Sequence, residues 1–160
     1  MIFVTAGTQM PFDRLIKVID ELAFDLKGTT FVVQALHSRY KAKNFKVLNF
    51  IPFEEFNTYV DSAELIISHA GMGTIISALE KGKPIIILPR LMEYNEHRNE
   101  HQLATAKKMD ALGYVNVAYD EQELKTKFLN MWPDKLKSLN TIGNTASAEL
   151  IKSIYSFIKY

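Results

Sequence analysis

Residues 68–74 read SHAGMGT, a run of small residues between an apolar stretch, AELIIS, and a helical-looking stretch, IISALEKGK. Gly71 and Gly73 loosen the turn, and the amides from Met72 onward, with Thr74 among them, open a helix. The first N–H groups of a helix lack intrahelical acceptors and lie at the positive end of its dipole. Such an end suits a phosphate. His69 stands where the strand stops and can donate a hydrogen bond to a phosphate oxygen; a purely structural histidine would occupy the same place. The spacing is neither the Walker pattern nor a complete G-x-G-x-x-G, so it does not specify an adenine dinucleotide.

Three other loops carry groups of similar chemistry. TAGTQMPFD puts Gly7 directly after a strand, where the missing Cβ allows close backbone approach. Thr8 and Gln9 add donors beside it, although a plain β-to-α turn has the same composition. PRLMEYNEHRNEHQLA follows an apolar strand and mixes Arg90, Glu93, Asn95, Glu96, His97, Asn99, Glu100, His101 and Gln102. That density of donors and acceptors suits hydroxyl recognition, and it also suits a solvated helix entrance. His97 and His101 have the i, i+4 spacing of a metal pair, without the glutamate placement of H-E-x-x-H. In QALHSRY, Gln34, His37 and Ser38 end another strand, and an ordinary loop explains them as well as a site does.

The elements that must position these loops alternate along the chain. IFVT (2–5), TTFVVQA (29–35), KVLNF (46–50), ELIIS (64–68), KPIIILP (83–89) and YVNVA (114–118) read as strands. FDRLIKVIDELAFDL (12–26) places Phe12, Leu15, Ile16, Ile19, Leu22 and Leu26 at helical spacing. Helices are also expected from Pro52, over TIISALEKG, around 98–112, over EQELKTKFLNMW and over SAELIKSIYSFIKY. Strands alternating with helices imply crossovers, and the nearly continuous apolar strands imply burial on both faces. The expected fold is α/β, a Rossmann-like, mostly parallel sheet with helices on both faces, in one domain spanning 1–160. Ligands of such sheets bind at the carboxyl ends of the strands, where all four loops begin.

The chain has 160 residues, 48% hydrophobic and 23% charged, a profile that excludes a disordered polypeptide. A net charge of +1 gives no field for nucleic acid, and the absence of cysteine excludes disulfides and thiolate metal sites. The opening MIFVTAGTQ lacks the flank and length of a secretory signal, and no stretch is long and apolar enough for a membrane span, so a soluble protein is expected. The helix 145–160 carries an apolar stripe of Leu150, Ile151, Ile154, Tyr155 and Ile158. It fits either a partner interface or cover for the chain's own sheet.

The segments MIFVTAGTQMPFDRLI, SHAGMGTIISALEKGKPIIILPR and NEHQLATAKKMDALGYV resemble the C-terminal, donor-binding half of family 28 glycosyltransferases. The likeness is nearest to the small subunits of split enzymes. One group serves bacterial capsule and exopolysaccharide synthesis; another is the eukaryotic subunit that adds N-acetylglucosamine to a dolichol-linked sugar. VTAGTQMPFDRL and PRLMEYNEH look more like the bacterial group. The resemblance implies the equivalent of the C-terminal half of a GT-B enzyme, taking a UDP-sugar as substrate with no metal or other cofactor.

It further implies that Gly7, Thr8, His69, Ala70, Gly71, Met72, Gly73 and Thr74 hold the donor diphosphate, and that Glu100, His101 and Gln102 meet the sugar. Relatives often bond the ribose with a glutamate eight residues after the histidine. Ser77 stands there instead, with Glu80 a turn later.

The implied reaction is inverting transfer of a hexose, galactose or glucuronate ahead of N-acetylglucosamine, to a polyprenyl-diphosphate-linked saccharide. His69 would stabilise the leaving group. No residue presents itself as the general base: His37 is the candidate within this chain, and the likeness puts that group on a membrane-anchored partner. Such a partner would hold the acceptor and recruit a cytoplasmic protein to the membrane. Two rival readings are a non-catalytic enhancer of a partner enzyme and a nucleotide-responsive regulator.

Overall fold

A computed structural model describes residues 1–143 and Lys152. Within them six strands form one sheet, all parallel: β1 Ile2–Thr5, β2 Phe31–Gln34, β3 Val47–Leu48, β4 Leu65–His69, β5 Ile85–Leu88 and β6 Asn116–Val117. Among the described residues of 1–143 five helices accompany them: α1 Asp13–Asp25, α2 Phe53–Ser62, α3 Met72–Glu80, α4 His101–Ala111 and α5 Glu121–Met131. The expected alternation is present, with strands shorter at their ends than the apolar runs. The helix expected from residue 98 starts only at His101, after a 3-10 turn, Met92–Tyr94. The stripe expected on 145–160 lies outside the described residues.

Period-two alternation sorts each strand between two cores. Ile2, Val4, Leu65, Ile67, Ile86 and Leu88 pack against α1 and α5 through Leu15, Ile19, Leu124 and Phe128. Phe3, Ile66, Ile85 and Ile87 face the other way, onto Val60, Ile75, Leu79 and Ala106 of α2, α3 and α4. Both faces of the central strands are therefore dry, which is why β4 and β5 read as unbroken apolar runs.

The sheet order is β3-β2-β1-β4-β5-β6. The chain winds outward in one direction through β3, returns past β1, and continues outward in the other. The loops after β1 and β4 diverge at that reversal and leave a crevice above the carboxyl ends of the strands.

The link between β2 and β3 contains no helix. Its backbone donors instead find two carboxylates on α1. Asp13 accepts from the amides of Arg39 and Tyr40, at 2.8 and 3.1 Å, and from the Ser38 hydroxyl. Asp20, two turns on and 3% exposed, accepts from the amides of Lys43 and Asn44, the Tyr40 hydroxyl and the Asn44 side chain. Burial alone would raise the Asp20 pKa; the amides of Asn44 and Lys43 and the Tyr40 hydroxyl outweigh it and hold the group below the ordinary carboxylate value.

Candidate functional site

A cleft of about 650 Å³ opens above β1 and β4. The β1–α1 loop contributes Gly7, Thr8 and Gln9. His69 through Thr74 form a second wall, and Arg90, His97, His101, Gln102 and Thr105 a third. Phe50, Ile51, Phe53 and Phe56 form the fourth.

His69 anchors the centre. Its Nδ1 lies 3.4 Å from the Thr5 carbonyl oxygen, which can only accept, so Nδ1 carries the ring proton. Burial first, then the neighbouring Arg90 guanidinium and His97, pushes its pKa down to about 4, so the ring is neutral at physiological pH. The ring is lodged between two glycines. A Cβ on Gly71 would sit 2.3 Å from His69 Nε2, and one on Gly7 2.8 Å from Cε1. Those glycines make room for the imidazole itself. Gly7 also has φ +73°, a left-handed conformation that disfavours any side chain. Gly73 differs: a Cβ there meets nothing within 4 Å.

The amide count at the start of α3 is smaller than the sequence suggested. Gly71 N–H bonds the His69 carbonyl and Ile75 N–H bonds the Gly71 carbonyl. The amides of Met72, Gly73 and Thr74 have no acceptor among the described residues, and no side chain caps the helix. These three donors line the cleft with the dipole behind them.

Polar side chains fix the loops. The Thr5 hydroxyl donates to Gln34 Oε1 at 2.7 Å and accepts from Gly7 N–H. Gln34 Nε2 donates to the carbonyls of Asn49 and Gly7, tying the aromatic wall to the glycine loop. Glu96, 6% exposed, takes both Arg14 Nε and Nη2 and the Leu91 amide, which shapes the β5–α4 loop. Burial lowers the Arg14 pKa, but Glu96 and Glu121 outweigh it, and the net shift is upward. Gln102 Oε1 accepts from the Arg90 amide.

Of the residues given a binding or catalytic role from the sequence, Gly7, Thr8, His69, Ala70, Gly71, Met72, Gly73, Thr74, His101 and Gln102 line one cleft. Three do not. Ser77 lies a turn further along α3, Glu100 uses its carboxylate on the Met92 amide, and His37 is exposed on the β2–β3 link. Glu80, at the far end of α3, is also outside it. Arg90 and Gln34, which the sequence offers only as members of candidate polar loops, also line the cleft, and the aromatic wall has no counterpart among the sequence expectations. The one available signal for the wall was Phe50 and Phe53, two large apolar side chains flanking a proline; they are 67% and 76% exposed, so no core claims them.

The cleft supplies hydrogen-bond donors for an anion, an aromatic wall for a flat ring and polar side chains for hydroxyls. Among the described residues, no group of three His, Asp or Glu side chains is placed to hold a metal ion, and no helix is long and apolar enough to cross a membrane.

Comparison with known proteins bears on what uses such a cleft. A family model described as the glycosyltransferase family 28 C-terminal domain matches residues 1–156. The UDP-N-acetylglucosamine transferase subunit ALG13 of Cryptococcus neoformans is 34% identical over 124 residues, 74% of this chain and 60% of that protein. Its namesake from Candida albicans is 34% identical over 88 residues, 54% of this chain and 28% of that protein. The chain thus spans less than two thirds of the curated relatives it matches. An NMR solution structure of ALG13 superposes with a TM-score of 0.58 at 21% identity, covering 96% of this chain and 93% of that one, which is a likeness of fold. These relatives are named for N-acetylglucosamine, and they shift the expectation away from galactose, glucuronate and capsule synthesis. With the family model spanning nearly its whole length, the chain belongs to glycosyltransferase family 28, as the C-terminal domain of that family.

Proposed function

We propose that this chain is the donor-binding part of a UDP-sugar-dependent glycosyltransferase, that its donor is UDP-N-acetylglucosamine, and that a second polypeptide supplies the acceptor. One observation carries the reading: three uncapped α3 amides, a neutral histidine and a left-handed glycine loop converge at the point where the strand order reverses. Family membership and the names of the relatives support the sugar.

The diphosphate sits on the amides of Met72, Gly73 and Thr74. The uracil lies against Phe50 and Phe53, and His97, His101 and Gln102 face the sugar. As the anomeric bond breaks, negative charge grows on the diphosphate, where donors already point. Each such donor lowers the barrier by a few kcal/mol, about 2.7–4 in well-measured cases. The diphosphate also favours protonation of His69, after which Nε2 donates while Nδ1 keeps the Thr5 carbonyl. The acceptor hydroxyl attacks from the opposite face, inverting the anomeric carbon, and loses its proton to a base. His37 lies outside the cleft, so that base is assigned to the partner polypeptide, which also brings the complex to the cytoplasmic face of a membrane carrying a lipid-linked saccharide.

The test is calorimetry of the isolated chain against UDP, UDP-N-acetylglucosamine, UDP-galactose, UDP-glucuronate and ADP. UDP-N-acetylglucosamine should bind and ADP should not. Tighter binding of UDP-galactose or UDP-glucuronate would overturn the sugar, and failure of every uridine nucleotide would overturn the site and leave an enhancer role.

A further inference from the structure

Arg90 leaves β5 directly into the cleft and is 1% exposed, the bulkiest fully buried side chain among the described residues. Among the described residues no carboxylate forms an ion pair with it. Glu96, whose field it feels, is already engaged by two nitrogens of Arg14. Nη2 donates to the main-chain carbonyls of Ala6 and Met10, which bracket the 7–9 loop. Nε is buried without an acceptor, and Nη1 has none among the described residues. Phe12 offers its ring face 5.3 Å away. Burial lowers the Arg90 pKa to about 10, which leaves a full cation at neutral pH.

The cleft lining contains no lysine, aspartate or glutamate, and Arg90 is its one permanent charge among the described residues. A buried cation without a partner anion is costly, and a fold retains one where an anion completes it. The α3 terminus provides only partial charge, and Arg90 itself helps keep His69 neutral. An anionic ligand would therefore find its only permanent counter-charge among the lining residues in this guanidinium.

We propose that Arg90 is the cation of the diphosphate subsite: Nη2 holds the 6–10 loop by its carbonyls, and the unpartnered Nη1 takes an oxygen of the donor diphosphate. This rests on the cleft being a uridine-diphosphate site. A residue that only braced two loops would affect all ligands alike, whereas a diphosphate contact separates UDP from uridine.

The experiment measures UDP and uridine affinity by calorimetry and NMR titration for the full chain, Arg90→Met and Arg90→Lys, with melting followed by circular dichroism. Arg90→Met should bind UDP about tenfold to a hundredfold more weakly, the range of one charge-assisted hydrogen bond, with uridine affinity within about twofold. Arg90→Lys should fall between. If the unaltered chain binds no UDP, the reading of the cleft fails, and this proposal with it. If it binds UDP and a folded Arg90→Met binds equally well, only the Arg90 proposal fails. Should Arg90→Met not fold, the arginine Nε–H signals of the unaltered chain decide. UDP must move the Arg90 signal and uridine must leave it in place; an Arg90 signal indifferent to UDP overturns the proposal.

Discussion

Gly71 and Gly73 stand two residues apart, and the structure gives them opposite roles. In Gly71→Ala the new Cβ arrives 2.3 Å from His69 Nε2 and 2.8 Å from Cε1, so the imidazole must move. Gly7 blocks it on the other side, where Cε1 is again 2.8 Å from a would-be Cβ position. The way left open is toward the cleft, which breaks the contact with the Thr5 carbonyl and brings the ring into the donor's space. Crowding of this kind costs about 1–3 kcal/mol. Replacing glycine by alanine recovers about 0.4–1 kcal/mol from the unfolded chain. The net loss is about 1–2 kcal/mol, a fall in melting temperature of about 2–8 °C for a chain of this size. Gly73→Ala meets open space inside α3 and gains up to about 1 kcal/mol of helix propensity. Melting by circular dichroism and UDP calorimetry on the two variants check this. Gly71→Ala should melt lower and bind UDP at least about tenfold more weakly; Gly73→Ala should melt at or above the parent. A Gly71→Ala protein that melts like the parent and binds UDP normally would refute the lodging of His69 between the glycines.

Three further outcomes follow from the same geometry. His69 is held neutral, with a folded pKa of about 4 against 6.5 unfolded, so the unfolded chain binds more protons between those values. Stability is therefore complete above about pH 6.5 and declines by up to about 3 kcal/mol toward pH 4; urea midpoints at pH 7.5 and 4.5 should differ less in His69→Gln than in the parent. Asp20→Ala strands the amides of Lys43 and Asn44 and should cost about 2–4 kcal/mol by urea unfolding at neutral pH. Because the Asp20 pKa is lowered by folding, that contribution exists above the unfolded carboxylate pKa and disappears as pH falls through the folded one, so the two proteins should converge in acid. Phe53→Ala removes a ring that is 76% exposed and should leave melting nearly unchanged, yet weaken UDP by about 1–3 kcal/mol if uracil stacks there; equal UDP affinity would remove Phe53 from the base wall.

Periodicity made the sheet legible, because strands buried on both faces cannot be polar and α1 buries one regular stripe. The rim loops were legible for the same reason: where an apolar run stops and a glycine or a histidine follows, the chain is leaving the sheet. What stayed hidden was anything decided by distant pairing. Arg90 reads as the first charge of a polar loop, and only the folded chain brings it to the carbonyls of Ala6 and Met10. Gly71 reads as a flexible turn residue; its steric reason is a ring two positions back that folds over it. Ser77 is implied by the resemblance, as the position of the relatives' ribose glutamate, but helical rise carries it a turn away from the free amides. The missing helix between β2 and β3 was also beyond pattern reading, since nothing in residues 35–46 announces that two carboxylates of α1 will do its work.

That last arrangement has an evolutionary corollary. Asp13 and Asp20 grip the link mostly by its peptide N–H groups, which every amino acid but proline provides. The exposed side chains of Arg39, Lys41 and Lys43 are then free to drift, while the spacing of the rungs is not: removing one residue would bring the wrong peptide to each carboxylate and displace Asn49 from Gln34, and with it the aromatic wall. Homologous chains that keep both aspartates should vary there in letter and seldom in length, and an inserted tag would be tolerated far better after Lys27 than after Lys41.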